Sequence, residues 1–192
     1  MPPEQPESLT NPSVTSIATA KGALALRPAQ PADIPAYITM RLAALQAHPE
    51  AFGSAYEETL ARPPEFWEQR LASTPYKCTF LVVTPTGTLA GMTGIWREEG
   101  VKLRHNATII GVYVDPAWRG LRLTDALIER CIAWSRDHDV RMLRLTVTAT
   151  NTPALRAYLR CGFSIYGVDP QVIFTGGRYY DDLLMVQQLV LP

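Results

Sequence analysis

The sequence carries no net charge, because eighteen acidic and eighteen basic side chains cancel over 192 residues. Such a balance supplies no global field to gather nucleic acid or an anionic membrane, and neither is expected as a partner. No apolar run approaches the ~20 residues that span a bilayer. The opening MPPEQPESLTNPSVTSIATAKG lacks the basic start and apolar segment of a secretory signal. Cys78, Cys131 and Cys161 show no CxxC spacing, which argues against a zinc site or a disulfide framework, and no metal is expected. A cytoplasmic location is the default expectation.

What remains is enough chain for one domain with a sizeable core. Residues 1–22 are rich in Pro, Ser and Thr and poor in large apolar side chains, so a disordered N-terminal tail is expected there and a domain over 23–192. Within the domain, Leu24–Arg27 reads as a short strand. The segment from Pro31 to Pro49 reads as an amphipathic helix with Ile34, Ile38, Leu42 and Leu45 on its apolar side, and the segment from Pro63 as a second helix opened by proline. Strands follow at 79–84, 89–96 and 107–114, with Pro85-Thr86-Gly87-Thr88 as a turn between the first two. A helix over 123–138 shows Leu123, Leu127, Cys131 and Trp134 on one stripe. Strand 141–149, a short helix over 152–163 stopped at Gly162, and strands at 163–168 and 181–190 complete the chain, the last two linked by a loop with Gly176-Gly177. This order predicts an α/β domain with a mixed central sheet flanked by about four helices.

The densest signal for chemistry is VYVDPAWRGLRLTDAL, residues 112–127. A strand that ends at Val114, a stop at Pro116 and a helix beginning near Leu123 aim free backbone N–H groups and a helix dipole at whatever lies in front, and a diphosphate satisfies several such donors at once. Arg119 adds a fixed positive charge at the mouth. A plain strand-to-helix connection would look similar. A second constellation is NTPALRAYLRCGF, residues 151–163, in which Tyr158 falls two helical turns after Asn151 and on the same face. Asn151 also suits a helix start and Tyr158 a core aromatic.

Together these segments resemble motifs A and B of the GCN5-related N-acetyltransferase (GNAT) superfamily. Motif A is Arg or Gln, two residues, Gly, one residue, then Gly or Ala; here Arg119 holds the first place and Gly120 and Leu121 the variable pair. Arg122 stands where the first glycine belongs, Thr124 where the second belongs, and Leu123 between them. Glycine suits close approach of backbone to phosphate. Arg122 could pair with a phosphate oxygen or fold into the groove and block it. In motif B, Asn151, Ala154, Tyr158, Gly162 and Phe163 occupy the matching places. The stretches Glu50–Glu58 and that from Gly176 onward resemble a large bacterial branch of the same superfamily, and the resemblance covers about residues 24–190.

The resemblance implies the GNAT (acyl-CoA N-acyltransferase) fold and acetyl-CoA as acyl donor. It implies that the strand before the phosphate turn splays from its neighbour, so that Val112, Tyr113 and Val114 present main-chain groups to the pantetheine arm and thioester. The implied reaction is direct transfer of acetyl to a primary amine in a ternary complex, with Tyr158 protonating the departing thiolate and Asn151 bonding the pantetheine arm or substrate. A non-catalytic acyl-CoA-binding or interaction module on the same fold is the alternative. Acceptor contacts are expected from Phe52, Ser54, Tyr56 and Glu57, and from Tyr179, Tyr180 and Asp181, and the acceptor is a small-molecule or peptide amine. Dimers are common in the superfamily, so a homodimer is an open possibility. No carboxylate lies on the strand 107–114 to serve as base, which leaves Glu98, Glu99 and His105 acting through water, or ordinary loop roles for all three.

Overall fold

The computed structural model describes residues 14–190. Eight strands form one sheet: β1 (Thr15–Thr19), β2 (Gly22–Pro28), β3 (Lys77–Val83), β4 (Leu89–Arg97), β5 (Asn106–Val114), β6 (Met142–Thr148), β7 (Ser164–Thr175) and β8 (Arg178–Gln188). Their spatial order is β1-β2-β3-β4-β5-β6-β8-β7. Every neighbouring pair is antiparallel except β5 and β6, which run parallel. Helices α1 (Ile34–Ala47), α2 (Tyr56–Leu60), α3 (Pro64–Leu71), α4 (Leu123–Asp137) and α5 (Thr152–Arg160) complete the described chain. The mixed sheet flanked by helices is the architecture expected.

Strand β3 shows why the sheet has a layer on each side. It is apolar at almost every position, as a strand covered on both faces must be. Cys78, Phe80 and Val82 join the core under α4 and α5, which includes Leu123, Leu127, Cys131 and Trp134. The alternate residues Leu81 and Val83 join Tyr37, Met40, Ala44, Trp67 and Leu71 under α1 and α3. The stripe expected on α4 is thus the buried one.

Three expectations need correction. Residues 15–19, assigned to the tail by composition, form β1 and pair with β2 from Thr15↔Leu26 to Thr19↔Gly22; edge-strand side chains stay mostly exposed, so the segment carries little apolar signal. The remainder of the expected tail, residues 1–13, lies outside the described residues. On α1 the buried face is Tyr37, Met40, Arg41, Ala44 and Leu45, and only Leu45 belongs to the stripe read from sequence. That helix is apolar on most of its circumference, so periodicity alone could not select a side. Finally, β7 and β8 extend to a tight turn at Gly176 (φ +56°) and Gly177 (φ +73°), the two positive φ values of a type I′ hairpin.

Candidate functional site

Strands β5 and β6 pair only at Asn106↔Met142, Ala107↔Leu143 and Thr108↔Arg144. Beyond Thr108 they part, while β5 stays bonded to β4 through Val114 and β6 to β8 through Thr148. The wedge between them opens into a cleft of about 670 Å³. Its lining brings together Val112, Tyr113 and Val114 from β5, Arg119, Gly120, Arg122, Leu123 and Thr124 from the turn and the start of α4, and Asn151 and Tyr158 from α5. Residues spread over 47 positions of sequence, 112–158, thus meet at one site. Leu121 packs against the core instead.

The turn is built by local backbone chemistry. Asp115 accepts a hydrogen bond from Ala117 N–H (2.8 Å), which holds the short 3-10 turn Pro116–Trp118. Gly120 (φ +80°) and Arg122 (φ +56°) then reverse the chain into α4. The first helical bond runs from Ala126 N–H to the Arg122 carbonyl (3.2 Å), so the N–H groups of the first turn have no helical acceptor. The motif glycine is therefore replaced at a position whose left-handed backbone favours glycine. The Arg122 side chain is 78 % exposed and reaches toward Asp125 at 3.9 Å, so it does not fill the groove.

Arg119 is engaged at the mouth. It donates from Nε to the Val114 carbonyl (3.3 Å) and contacts His48 Nε2 through Nη2 (3.0 Å). Asp125, in the first turn of α4, is held by Arg160 through two hydrogen bonds of 2.7 and 3.1 Å. With Arg119, Arg122 and Arg160 against Asp125 and Glu50, the cleft lining is net cationic, which suits an anion.

Asn151 caps α5 by accepting from Ala154 N–H (3.2 Å) while still facing the cleft. Tyr158 is only 5 % exposed, and burial pushes its phenol well above the ordinary value, so the hydroxyl stays protonated at neutral pH.

The expected acceptor residues divide. Phe52 lines this cleft and also a second one of about 490 Å³, which Ser54, Tyr56 and Glu57 line with β7 residues 172–175. Tyr179 packs against Phe174 near the hairpin tip, Tyr180 lies beneath Arg178, and Asp181 accepts from Gln171 N–H (2.8 Å), holding a β7 bulge; none of the three lines either cleft. Glu98, Glu99 and His105 stand at the opposite end of β5, about 20 Å from Val112 at ~3.3 Å per residue, too far for proton transfer through one water. Sequence reasoning missed His48, Glu50, Asp125, Thr146, Thr148 and Arg160, all of which line the cleft. Only Asp125, three residues after Arg122 in a helix's first turn, carried a local signal.

The acetyltransferase (GNAT) family model matches residues 42–163. The L-amino acid N-acetyltransferase AaaT of Escherichia coli (strain K12) is 29% identical over 148 residues, 74% of this chain and 87% of that protein. A GCN5-related N-acetyltransferase from Kribbella flavida superposes with a TM-score of 0.74 at 24% identity, covering 86% of this chain and 98% of that one. The yncA protein from Salmonella typhimurium, solved with its cofactor acetyl-CoA, superposes at 0.71 and 23% identity over 87% and 94%. The wedge, the phosphate-type turn and the family match over most of the described domain agree: this chain belongs to the GNAT family of acyltransferases.

Proposed function

We propose that the chain transfers acetyl from acetyl-CoA to a primary amine by direct attack in a ternary complex. The observation that carries this is the cleft where β5 and β6 part, which faces unpaired strand backbone, a helix N-terminus and a buried phenol at once. The diphosphate would meet the N–H groups of residues 120–124 and the Arg119 and Arg122 guanidinium groups. The main chain of Val112–Val114 would align the pantetheine arm and polarise the thioester carbonyl. Asn151 would steady the arm, and Tyr158 would pass its proton to the departing thiolate. Direct transfer is favoured over an acyl-enzyme because none of Cys78, Cys131 and Cys161 lines the cleft, and burial raises the Cys161 thiol as well. Catalysis then rests mainly on positioning.

The work would be done in the cytoplasm, by a domain that includes β1. Among the described residues no helix is long and apolar enough to cross a membrane. A homodimer is compatible with the exposed apolar row Ile165, Val168, Val172 and Phe174 on β7, the edge strand.

Two measurements test the reading. Calorimetry should show CoA and acetyl-CoA binding, and thiol release with an amine panel should show turnover. Tyr158→Phe should lower kcat about 100-fold while leaving CoA affinity unchanged. Absence of CoA binding at millimolar concentration would overturn the proposal, and an unchanged kcat in Tyr158→Phe would remove the tyrosine from the mechanism.

A further inference from the structure

The layer of α1 and α3 holds a pair of cations, Arg41 buried and Arg70 half-buried, that nothing in the proposed reaction uses. Arg41 on α1 is 6 % exposed, and its Nη1 is buried without a hydrogen-bond partner. Burial lowers its pKa to about 10, so it remains charged at neutral pH. Arg70 on α3 donates from Nε to the Tyr37 hydroxyl (2.9 Å), which leaves its Nη groups free of that bond. Among the described residues neither arginine makes an ion pair. Both guanidinium groups converge on Gly111: a Cβ there would lie 3.8 Å from Arg41 Nη1 and 3.8 Å from Arg70 Nη2.

Gly111 is no ordinary strand position. Its φ is +61°, and the β4–β5 register shifts between Met92↔Tyr113 and Gly94↔Ile110, so β5 bulges there. The bulge immediately precedes Val112, where the thioester is proposed to lie. Phe52, whose ring covers the Arg41 guanidinium at 4.6 Å, lines both clefts, so the pair lies directly behind a residue of the cleft wall although Arg41, Arg70 and Gly111 line neither cleft themselves. Like charges placed together out of water repel and lose hydration, so they persist where an anion completes them. Two planar forks suit a planar carboxylate better than a tetrahedral anion.

We propose that Arg41 and Arg70, converging on the Gly111 bulge, bind the carboxylate of the acceptor, so that the amine acetylated belongs to a free amino acid. This rests on the acetyltransferase reading and narrows it. An α-carboxylate held at residue 111 leaves the α-amine one residue along β5, beside the thioester; adjacent Cα atoms are ~3.8 Å apart, a span that a carboxylate and its α-nitrogen bridge. The amine, deprotonated in solvent before it docks, then attacks the thioester carbonyl carbon; a C–N bond forms, the C–S bond breaks, the thiolate takes a proton from Tyr158, and the proton shed by the nitrogen passes through solvent to restore the phenol.

The test uses matched pairs: tyrosine against tyramine, arginine against agmatine, alanine against ethylamine, with 1-aminoethylphosphonate as the tetrahedral control. Thiol release at saturating acetyl-CoA should favour each carboxylate over its amine twin by about 100-fold or more in kcat/KM, because the twin leaves buried charge unpaired. Arg41→Met and Arg70→Met should each raise KM for the acids at least about 30-fold and leave the twins alone, and Arg41→Lys, which keeps charge but loses the fork, should fall between. Thermal shift with the free acids supplies a readout without turnover: acids should raise the Tm of the wild type and not of either Met variant. Equal use of acids and twins, preference for the phosphonate, or no Tm response to any acid in a protein that binds acetyl-CoA overturns the carboxylate site and leaves the transferase reading standing. Failure of acetyl-CoA itself to bind by calorimetry is the separate failure of the transferase reading.

Discussion

Arg122 takes a conformation that L-residues avoid, φ +56° and ψ +26°, at the place where the family pattern has glycine. Left-handed backbone costs a residue with a Cβ about 1–2 kcal/mol, and glycine returns part of that through unfolded-state entropy. Arg122→Gly should therefore raise stability by about 1 kcal/mol, seen as a Tm gain of roughly 2–4 °C for a chain of this size. Because the exposed side chain borders the cleft without filling it, the same variant should weaken CoA binding or leave it unchanged; a marked gain in affinity by calorimetry would mean the guanidinium blocks the groove after all. Position 122 also shows what local pattern can and cannot carry. The departure from glycine was visible in the string RGLRLT, but its backbone angle and the approach of its side chain to Asp125 were not, since both depend on how β5 hands the chain to α4.

Between elements, the junction of β2 and α1 is fastened by Asp33, which accepts two bonds from Arg27 (2.6 and 2.8 Å) and one from Gln30 N–H (2.7 Å). The Arg27 guanidinium holds this carboxyl below the usual carboxylate range, with burial opposing and the Gln30 N–H assisting. A carboxyl with a depressed folded pKa contributes stability above its unfolded pKa and loses it as pH falls through the folded value. Asp33→Asn should thus lower stability by about 1–3 kcal/mol at neutral pH, with the gap to wild type closing as pH drops below the usual carboxylate range. Chemical denaturation at pH 7 and pH 3 checks this, and a gap that stays constant would exclude the ion pair as its cause. In sequence Asp33 shows only as an acidic residue at the start of a helical segment. Its stronger attachment to Arg27, six residues earlier, needed the strand and the helix in register.

At the scale of the whole molecule, the cleft is bounded by parts of both layers. Residues 48–52 after α1 close it from one side, α5 from the other, and Thr148 Oγ1 donates to the Glu50 carbonyl (2.8 Å) across 98 positions of sequence. A ligand filling such a seam joins segments that otherwise meet weakly, so acetyl-CoA at one hundred times its Kd should stabilise the fold by about 2.7 kcal/mol, measurable as a concentration-dependent Tm. A Tm independent of acetyl-CoA would deny the seam a ligand of that kind.

The sequence by itself determined the order of strands and helices from β2 onward apart from α2, the buried stripe of α4, the strand-to-helix turn before it and the family, because each is written in neighbouring residues whose spacing matches a local period or motif. Only the tertiary structure decided which face of α1 is buried, how far β5 and β6 part, that His48 and Glu50 stand at the cleft, and that Arg41 and Arg70 meet at the Gly111 bulge. Those facts join residues tens of positions apart through sheet pairing and layer packing, and no local period encodes a contact that only the closed sheet creates.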